Sequence, residues 1–335
     1  MAFLLRRLGS GVLLILALTL VTYVVFFTIP ANPTCLAVDC GPGNRTTAEQ
    51  LAVARHQLGL DRPVLVQYGH FLWNLVRHGS FGESFTQRYT IGSALADALP
   101  ATASIVLGGA LLLVLLALPL GAISALRANG LVDRGVLAVS LVGIALHPFV
   151  VGLLLKKVFA QGLGIAPFAG YCPLRGRAAV GSFNQTTVCG GVLDWAYHLY
   201  LPWVVFALFF LPLYTRMFRA RMLQTVGETY VRTARAKGAS EARVLVRHVF
   251  RNAALPIVPM LAMDVGTAVT TAIYVETIFG IGGIGAFAVQ ALSGNDGGYD
   301  LPAVVGIVFV VACAVVVLNF LADVALVGLD PRITG

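Results

Sequence analysis

Asp264 carries a carboxylate inside an otherwise apolar run, Leu255 to Phe279, with Thr267, Thr270 and Thr271 close behind it. Asp264, Thr267 and Thr271 fall at i, i+3 and i+7, which puts them on one face of a helix. A carboxylate within a membrane span is costly, so it faces a polar path or a partner. Two roles stand open for it: a polar wall of a substrate path, or a hydrogen bond to a neighbouring helix. Glu276, near the far end of the same run, is expected to pack or gate there rather than titrate.

Other groups are informative by what they exclude. Gly280-Ile281-Gly282-Gly283-Ile284-Gly285 spells G-x-G-x-x-G. As a dinucleotide fingerprint it needs a strand before it and a helix after it. Here it follows an apolar span, which favours a glycine hinge or close backbone packing. No G-x-x-x-x-G-K-[ST] occurs, so the chain lacks a phosphate-cradling loop and is not expected to hydrolyse ATP. No catalytic constellation is present, and the chain is not expected to be an enzyme or to bind a cofactor. His70 and His78 lack a third ligand, so no metal site is expected. Cys35 and Cys40 lie in one polar segment, Cys172 and Cys189 in another, and Cys313 in an apolar run. Four cysteines allow three pairings. In an oxidising compartment the local pairs Cys35–Cys40 and Cys172–Cys189 are the simplest. Reduced thiols or a metal site are the alternatives, and Cys313 is expected to be a small core residue.

The elements that hold these residues are membrane spans. Of 335 residues 58% are hydrophobic and 11% charged, against about 25% charged in a soluble domain. Mean hydropathy is +0.85. Six stretches are long and apolar enough to cross a bilayer, 9–29, 101–124, 136–158, 199–217, 255–279 and 302–327. Pro119 and Pro148 fall inside the second and third, and Pro202 and Pro212 interrupt the fourth. Arg6-Arg7 followed by an apolar run to Ile29 resembles a signal peptide, but the run is longer than a signal core and is expected to be retained. The short segments rich in Lys and Arg include nine such residues from Arg216 to Arg251. They place both termini on the inner side. The fold expected is an all-α integral membrane protein of six spans. Its parts are 1–29, N-terminus and first span; 30–100, an outer segment with short helices; 101–327, the core; and 328–335, an inner tail. The core includes an outer insertion, 161–195, and an inner loop, 218–254. In the outer segment, Thr47 with Gln50 reads as a capped helix and Gln67–Val76 as a second one. The net charge of +8 reads as orientation signal and lipid contact. Nucleic acid is not expected, because no aromatic residues are clustered among the basic ones to stack bases.

Thr225–Pro256 is the one strongly basic polar segment between two apolar spans. It holds Arg232, Arg235, Lys237, Arg243, Arg247 and Arg251 against Glu228 and Glu241. The pattern predicts a helix from Glu228 to Ala236, stopped by a left-handed Gly238. A second helix follows, capped by Ser240 with Glu241 in its first turn. Val244, Leu245, Val249 and Phe250 give that helix an apolar face. Such an elbow suits docking of a partner; an ordinary inner loop, basic only because such loops are, is the other reading.

The run Tyr230-Val231-Arg232-Thr233-Ala234-Arg235-Ala236-Lys237-Gly238, with Leu255-Pro256 beyond it, resembles the coupling loop of ABC-transporter permeases of the dipeptide/oligopeptide (peptide/nickel) importer family, the first of the two permease subunits. Leu58-Gly59-Leu60-Asp61-Arg62-Pro63, Gln67-Tyr68, Gly79-Ser80-Phe81-Gly82-Glu83-Ser84-Phe85 and Tyr274-Val275-Glu276-Thr277-Ile278-Phe279 are similar to the same permeases, so the resemblance runs over essentially the whole chain. The general permease pattern has Glu-Ala-Ala where this chain has Arg232-Thr233-Ala234, and its Leu-Pro comes earlier. The resemblance implies a type I importer in a bacterial cell membrane, moving di- or oligopeptides by alternating access. Its partners would be a second homologous permease, two ATPase subunits carrying ATP and magnesium, an extracytoplasmic binding protein and membrane lipids. Arg232, Ala234, Arg235, Lys237, Gly238, Ala239, Ser240 and Glu241 would couple to the ATPases, and Asp264, Thr267, Thr271 and Glu276 would line the path. Family relatives also carry nickel or haem-like cargo. A stand-alone secondary carrier or channel is the reading from a different class.

Overall fold

The computed structural model describes residues 2–28, 52–53, 56, 61–84, 89–174, 191–293 and 300–329. Among these the regular structure is all helical, apart from one isolated bridge between Glu83 and Thr90. The helices are α1 (Ala2–Thr28), α2 (Val64–His78), α3 (Ile91–Leu126), α4 (Leu131–Ala145) and α5 (Pro148–Leu155). After α5 comes a π-helical turn, Lys156–Gly162. Then follow α6 (Val192–Val226), α7 (Thr229–Ala236), α8 (Glu241–Met263), α9 (Val265–Phe279), α10 (Ile284–Leu292) and α11 (Leu301–Leu329). A second π-helical turn, Val244–Phe250, lies within α8.

Among the described residues four helices are long and apolar enough to cross a membrane: α3, α6, α8 and the Leu301–Ala325 part of α11. Gly266–Phe279 and Ile284–Leu292 make a fifth if the pair is one broken span. Of the six expected stretches, 9–29 is not among these, its described apolar part being the shorter Gly9–Val25. Two others differ as well. The apolar stretch 136–158 is broken at Leu146 and His147, both in extended backbone, where the His147 Nδ1 accepts from the Phe149 N–H and Pro148 opens the next helix. Proline at the first helical position removes a donor the helix has no use for, whereas the residue before it is pushed out of the α region. The apolar stretch 255–279 is divided at Asp264, and its first part continues back to Glu241 as α8. Conversely, 199–217 lies in one 35-residue helix that runs straight through Pro202 and Pro212. Both prolines are buried against other elements, the setting in which spans tolerate them. The expected helix Gln67–Val76 extends to Val64–His78 and stops at Gly79, whose φ is +62°. Thr47 and Gln50 lie outside the described residues.

Contacts divide the chain into two units, Met1–Ala101 with Gly282–Val317, and Thr102–Ile281 with Leu318–Gly335. The first has an apolar core of Ile91, Leu95 and Ala98 from α3, Ile284, Phe287 and Ala291 from α10, and Ala303, Val304 and Ile307 from α11. The Ser84 hydroxyl donates to Asp300 at 2.5 Å beneath it. In the same unit α2 lies on α1. Tyr68 Oη meets Thr19 Oγ1 at 2.8 Å and donates to the Leu16 carbonyl at 3.0 Å, and Tyr23 donates to Gln67 at 3.2 Å.

The second unit is built around α6, whose partners approach through glycines. A Cβ on Gly108 would fall 2.2 Å from Trp203, on Gly109 2.4 Å from Phe206, and on Gly143 2.7 Å from Pro212. Without a hydrophobic drive between helices in lipid, such close approach supplies the packing attraction that holds spans together.

Candidate functional site

The basic elbow begins where α6 ends. Gly227 closes α6, Glu228 takes extended backbone, and α7 runs from Thr229 to Ala236. Gly238 has φ +80°. Its N–H donates to the Arg235 carbonyl at 2.9 Å and the Ala239 N–H to the Ala234 carbonyl at 3.2 Å, closing the turn. Ser240 stands at the N-cap of α8, but its side chain makes no capping bond; its carbonyl accepts from Val244 instead. The two arms are tied at the tip. Arg235 Nε and Nη2 donate to the two Glu241 oxygens at 2.8 and 3.2 Å. Asn252 donates to Tyr230 at 2.8 Å further along.

The inner face of the elbow is apolar and is covered. Val231, Val244 and Val249 are fully buried, and Phe250 meets the Phe218 ring of α6 edge-on at 5.1 Å. Val244 and Val249 are five residues apart, and i→i+5 bonding in the π-helical turn brings residues at that interval over one another. The apolar face of the second helix thus seats the elbow on α6. Arg232, Lys237 and Val246 remain exposed on the outer side.

Beside the elbow, α6 is fixed by an ion pair that sequence pattern alone does not reveal. Arg219 Nε and Nη2 each donate to Asp133 at 2.6 Å, a bidentate grip. Ser124 donates to the same carboxylate at 2.5 Å and the Asn129 N–H at 2.8 Å. Asn129 itself sits at φ +65°. Asp133 is buried and precedes the apolar stretch that starts at 136. The Arg219 guanidinium, with the Ser124 hydroxyl, holds its carboxyl well below the usual carboxylate range. The partners are 86 residues apart, and the only local signal is a charge just outside each span.

Asp264 sits at the joint between α8 and α9 and accepts from the Tyr214 hydroxyl of α6 at 2.7 Å. It also lines a cavity of about 270 Å³ whose other walls include Leu113, Phe210, Tyr214, Leu261 and Ala268. Both roles open for Asp264 are thus represented in its surroundings: a helix–helix hydrogen bond and the polar wall of a mostly apolar hollow. Thr267 is exposed, whereas Thr271 is buried and donates to the Thr267 carbonyl at 2.9 Å. Glu276, twelve residues beyond Asp264 and so about 18 Å along the helix, is fully buried and accepts from Thr102 at 2.6 Å. Of the four expected path residues, only Asp264 lines this cavity. Near Glu276, the Lys156 ammonium donates to the Ile278 carbonyl and lies 4.2 Å from the Phe168 ring centre. Cys172 is buried and disulfide-bonded, while Cys35, Cys40 and Cys189 lie outside the described residues. Cys313 is a half-buried free thiol.

Apolar helices long enough to cross a membrane, a cavity between them and a basic helical elbow seated on one of them are the parts of a polytopic membrane protein. Comparison with known proteins makes this specific. Residues 117–335 match the binding-protein-dependent transport system inner membrane component, and residues 1–106 match the N-terminal part of such membrane components. The chain belongs to this family of multi-pass inner-membrane proteins. It is 35% identical over 341 residues to the di/tripeptide transport system permease protein DppB of Pseudomonas aeruginosa (strain UCBPP-PA14), covering 99% of this chain and 98% of the relative. It is 31% identical over 345 residues to the dipeptide transport system permease protein DppB of Escherichia coli (strain K12), with the same coverage. It is 33% identical over 331 residues to a putative peptide permease of Brucella suis biovar 1 (strain 1330), covering 98% of each.

Proposed function

We propose that this chain is one of two permease subunits of an ATP-driven importer that carries di- and oligopeptides across a bacterial cell membrane by alternating access. The observation that carries this reading is the end-to-end correspondence with permeases named for di- and tripeptide transport. The elbow fits it: a Gly238 turn with Arg232 and Lys237 exposed, backed by α6, offers a rigid surface that partner ATPases could push. Those ATPases would carry the ATP and magnesium, because this chain has no phosphate-binding loop. A second homologous permease and an extracytoplasmic binding protein complete the assembly.

In this reading the chain crosses the membrane six times with both termini cytoplasmic, and 136–158 and 255–279 cross as broken helices. Asp264 lines the path and meets the peptide's amino group. The outer cysteines pair as Cys35–Cys40 and Cys172–Cys189. Purification of the tagged chain from its host membrane tests the assembly: two ATPases and a second permease should co-elute, and the reconstituted complex should take up dipeptides only with ATP. A chain that moves solute alone down an ion gradient would make it a secondary carrier. ATP-driven uptake of nickel with no competition by dipeptides would reassign the cargo.

A further inference from the structure

The helix α2 has three faces. At about 100° per residue, Val64, Tyr68, Phe71 and Leu75 point one way, and this face carries the contacts to α1. The Tyr23 ring lies 5.8 Å from Tyr68 and 6.5 Å from Phe71. Leu65, Leu72, Val76, Trp73 and Val66 occupy a second arc of roughly 120°. In that arc Leu65 is 70% exposed, Trp73 58% and Val76 84%. His70, Asn74 and Arg77 form a narrow polar third face, all exposed. The helix contains no acidic residue, and Arg62 precedes it, donating to His70 at 2.8 Å. The Arg77 guanidinium lies 5.3 Å from the Trp73 ring centre, at the seam of the apolar and polar faces.

We infer that α2 lies in the outer lipid–water boundary, its Leu65–Val76 face in the acyl chains and its Arg77 flank at anionic headgroups. The inference rests on the proposed topology, in which the N-terminus is inside. Three observations commit it to lipid. The apolar face belongs to a helix packed on α1, which itself leaves Leu13, Leu16, Val21 and Val24 exposed. Charge is complementary, since the helix's own charged groups are cationic and the headgroups proposed are anionic. Depth agrees too. The 27-residue α1 is about 40 Å long and overruns a hydrocarbon core of about 30 Å by about 5 Å at each end. Tyr23 and Thr19 lie five and nine residues before Thr28, roughly 8 and 14 Å from its end. That sets the α1 contact about 3–9 Å inside the hydrocarbon edge, close to the 5–10 Å at which interfacial helices bury their apolar face. Tryptophan with arginine beside it is the usual anchor at that level.

The test uses Trp73 emission from the full chain in its complex, reconstituted into phosphatidylethanolamine–phosphatidylglycerol vesicles with brominated acyl chains. Subtracting the spectrum of Trp73→Phe isolates its contribution from those of Trp195 and Trp203. The expected result is a short-wavelength Trp73 component that is lost in bromolipid and unaffected by iodide. Quenching by iodide without loss in bromolipid puts the face in water and overturns the inference. Quenching by neither means that protein covers it, and overturns it equally. Separately, Asn74→Cys in a Cys313→Ser background should react with a membrane-impermeant maleimide added to intact cells. Absence of that labelling overturns the topology, and with it the outer-leaflet assignment, whatever the quenching shows.

Discussion

Asp133 and Arg219 meet in a grip with two nitrogens on one carboxylate, and Ser124 and Asn129 fill its remaining acceptor sites. Removing one member leaves the other without its counter-charge in a buried place. Asp133→Asn should therefore lower the melting temperature of the purified protein, and Arg219→Lys should do so less, since a point charge cannot replace the fork. Because the folded carboxyl titrates below its ordinary 3.8, its stabilising contribution is complete above that value and fades as pH falls towards the folded value. A thermal scan from neutral pH downward should show that acid loss in the wild type, while Asp133→Asn should lack it. Asp264 is the second residue to test. Tyr214→Phe removes the donor to a carboxylate, a bond worth about 1.5–3 kcal/mol, whereas Asp264→Asn keeps an acceptor for Tyr214. If Asp264 lines the path, Asp264→Asn should reduce peptide uptake with the complex intact. Dissociation of that variant in detergent would give Asp264 a structural role, and normal uptake with normal assembly would remove it from both.

At the scale of elements, the elbow was largely legible in the sequence. Its first helix starts within a residue of the expected boundary, and Gly238 adopts the left-handed conformation expected of it. Glycine and capping signals act over a few residues, so pattern reading reaches them. The π-helical turn was not legible, because apolar residues at 244, 245, 249 and 250 fit a 3.6-residue period nearly as well as a wider one. The breaks at His147 and Asp264 were missed as well, since hydropathy is averaged over a window longer than the break. Nothing lies within 4 Å of a Cβ on Gly238, so substitution there acts through backbone strain alone, about 1–2 kcal/mol for a residue with Cβ. Gly238→Val should therefore leave the spans inserted while lowering substrate-stimulated ATP hydrolysis of the reconstituted complex. Charge reversal at Arg235 and Lys237 should instead disturb topology if the loop serves only orientation. Full coupling in Gly238→Val would remove the elbow from the mechanism.

For the molecule as a whole, helix-to-helix contact around α6 depends on missing side chains. Gly109→Val would drive a branched side chain into Phe206, already 2.4 Å from the Cβ position, and such overpacking costs about 1–3 kcal/mol or more. Gly135→Val, with nothing within 4 Å, is the matched control. Size-exclusion profiles of fluorescently tagged protein should show loss of the folded peak for the first and retention for the second. These glycines were plain in the sequence, yet their partners were not, since a glycine does not announce what approaches it. The same holds for Glu276, expected near the end of a span but found fully buried beside Thr102, 174 residues away in the chain.

The π-helical turn at Val244–Phe250 makes the chain's winding there a mechanical variable. Were the same residues to take ordinary α bonding, the residue that the π turn absorbs would be wound into the helix, and everything beyond would turn by about 100°. Val244 and Val249 would no longer lie over one another on α6, and Asp264 would still be a carboxylate, yet it would no longer point at Tyr214. The phase between elbow and cavity is thus set by how this one turn is wound. Two surfaces can be tuned to each other this way without ever touching.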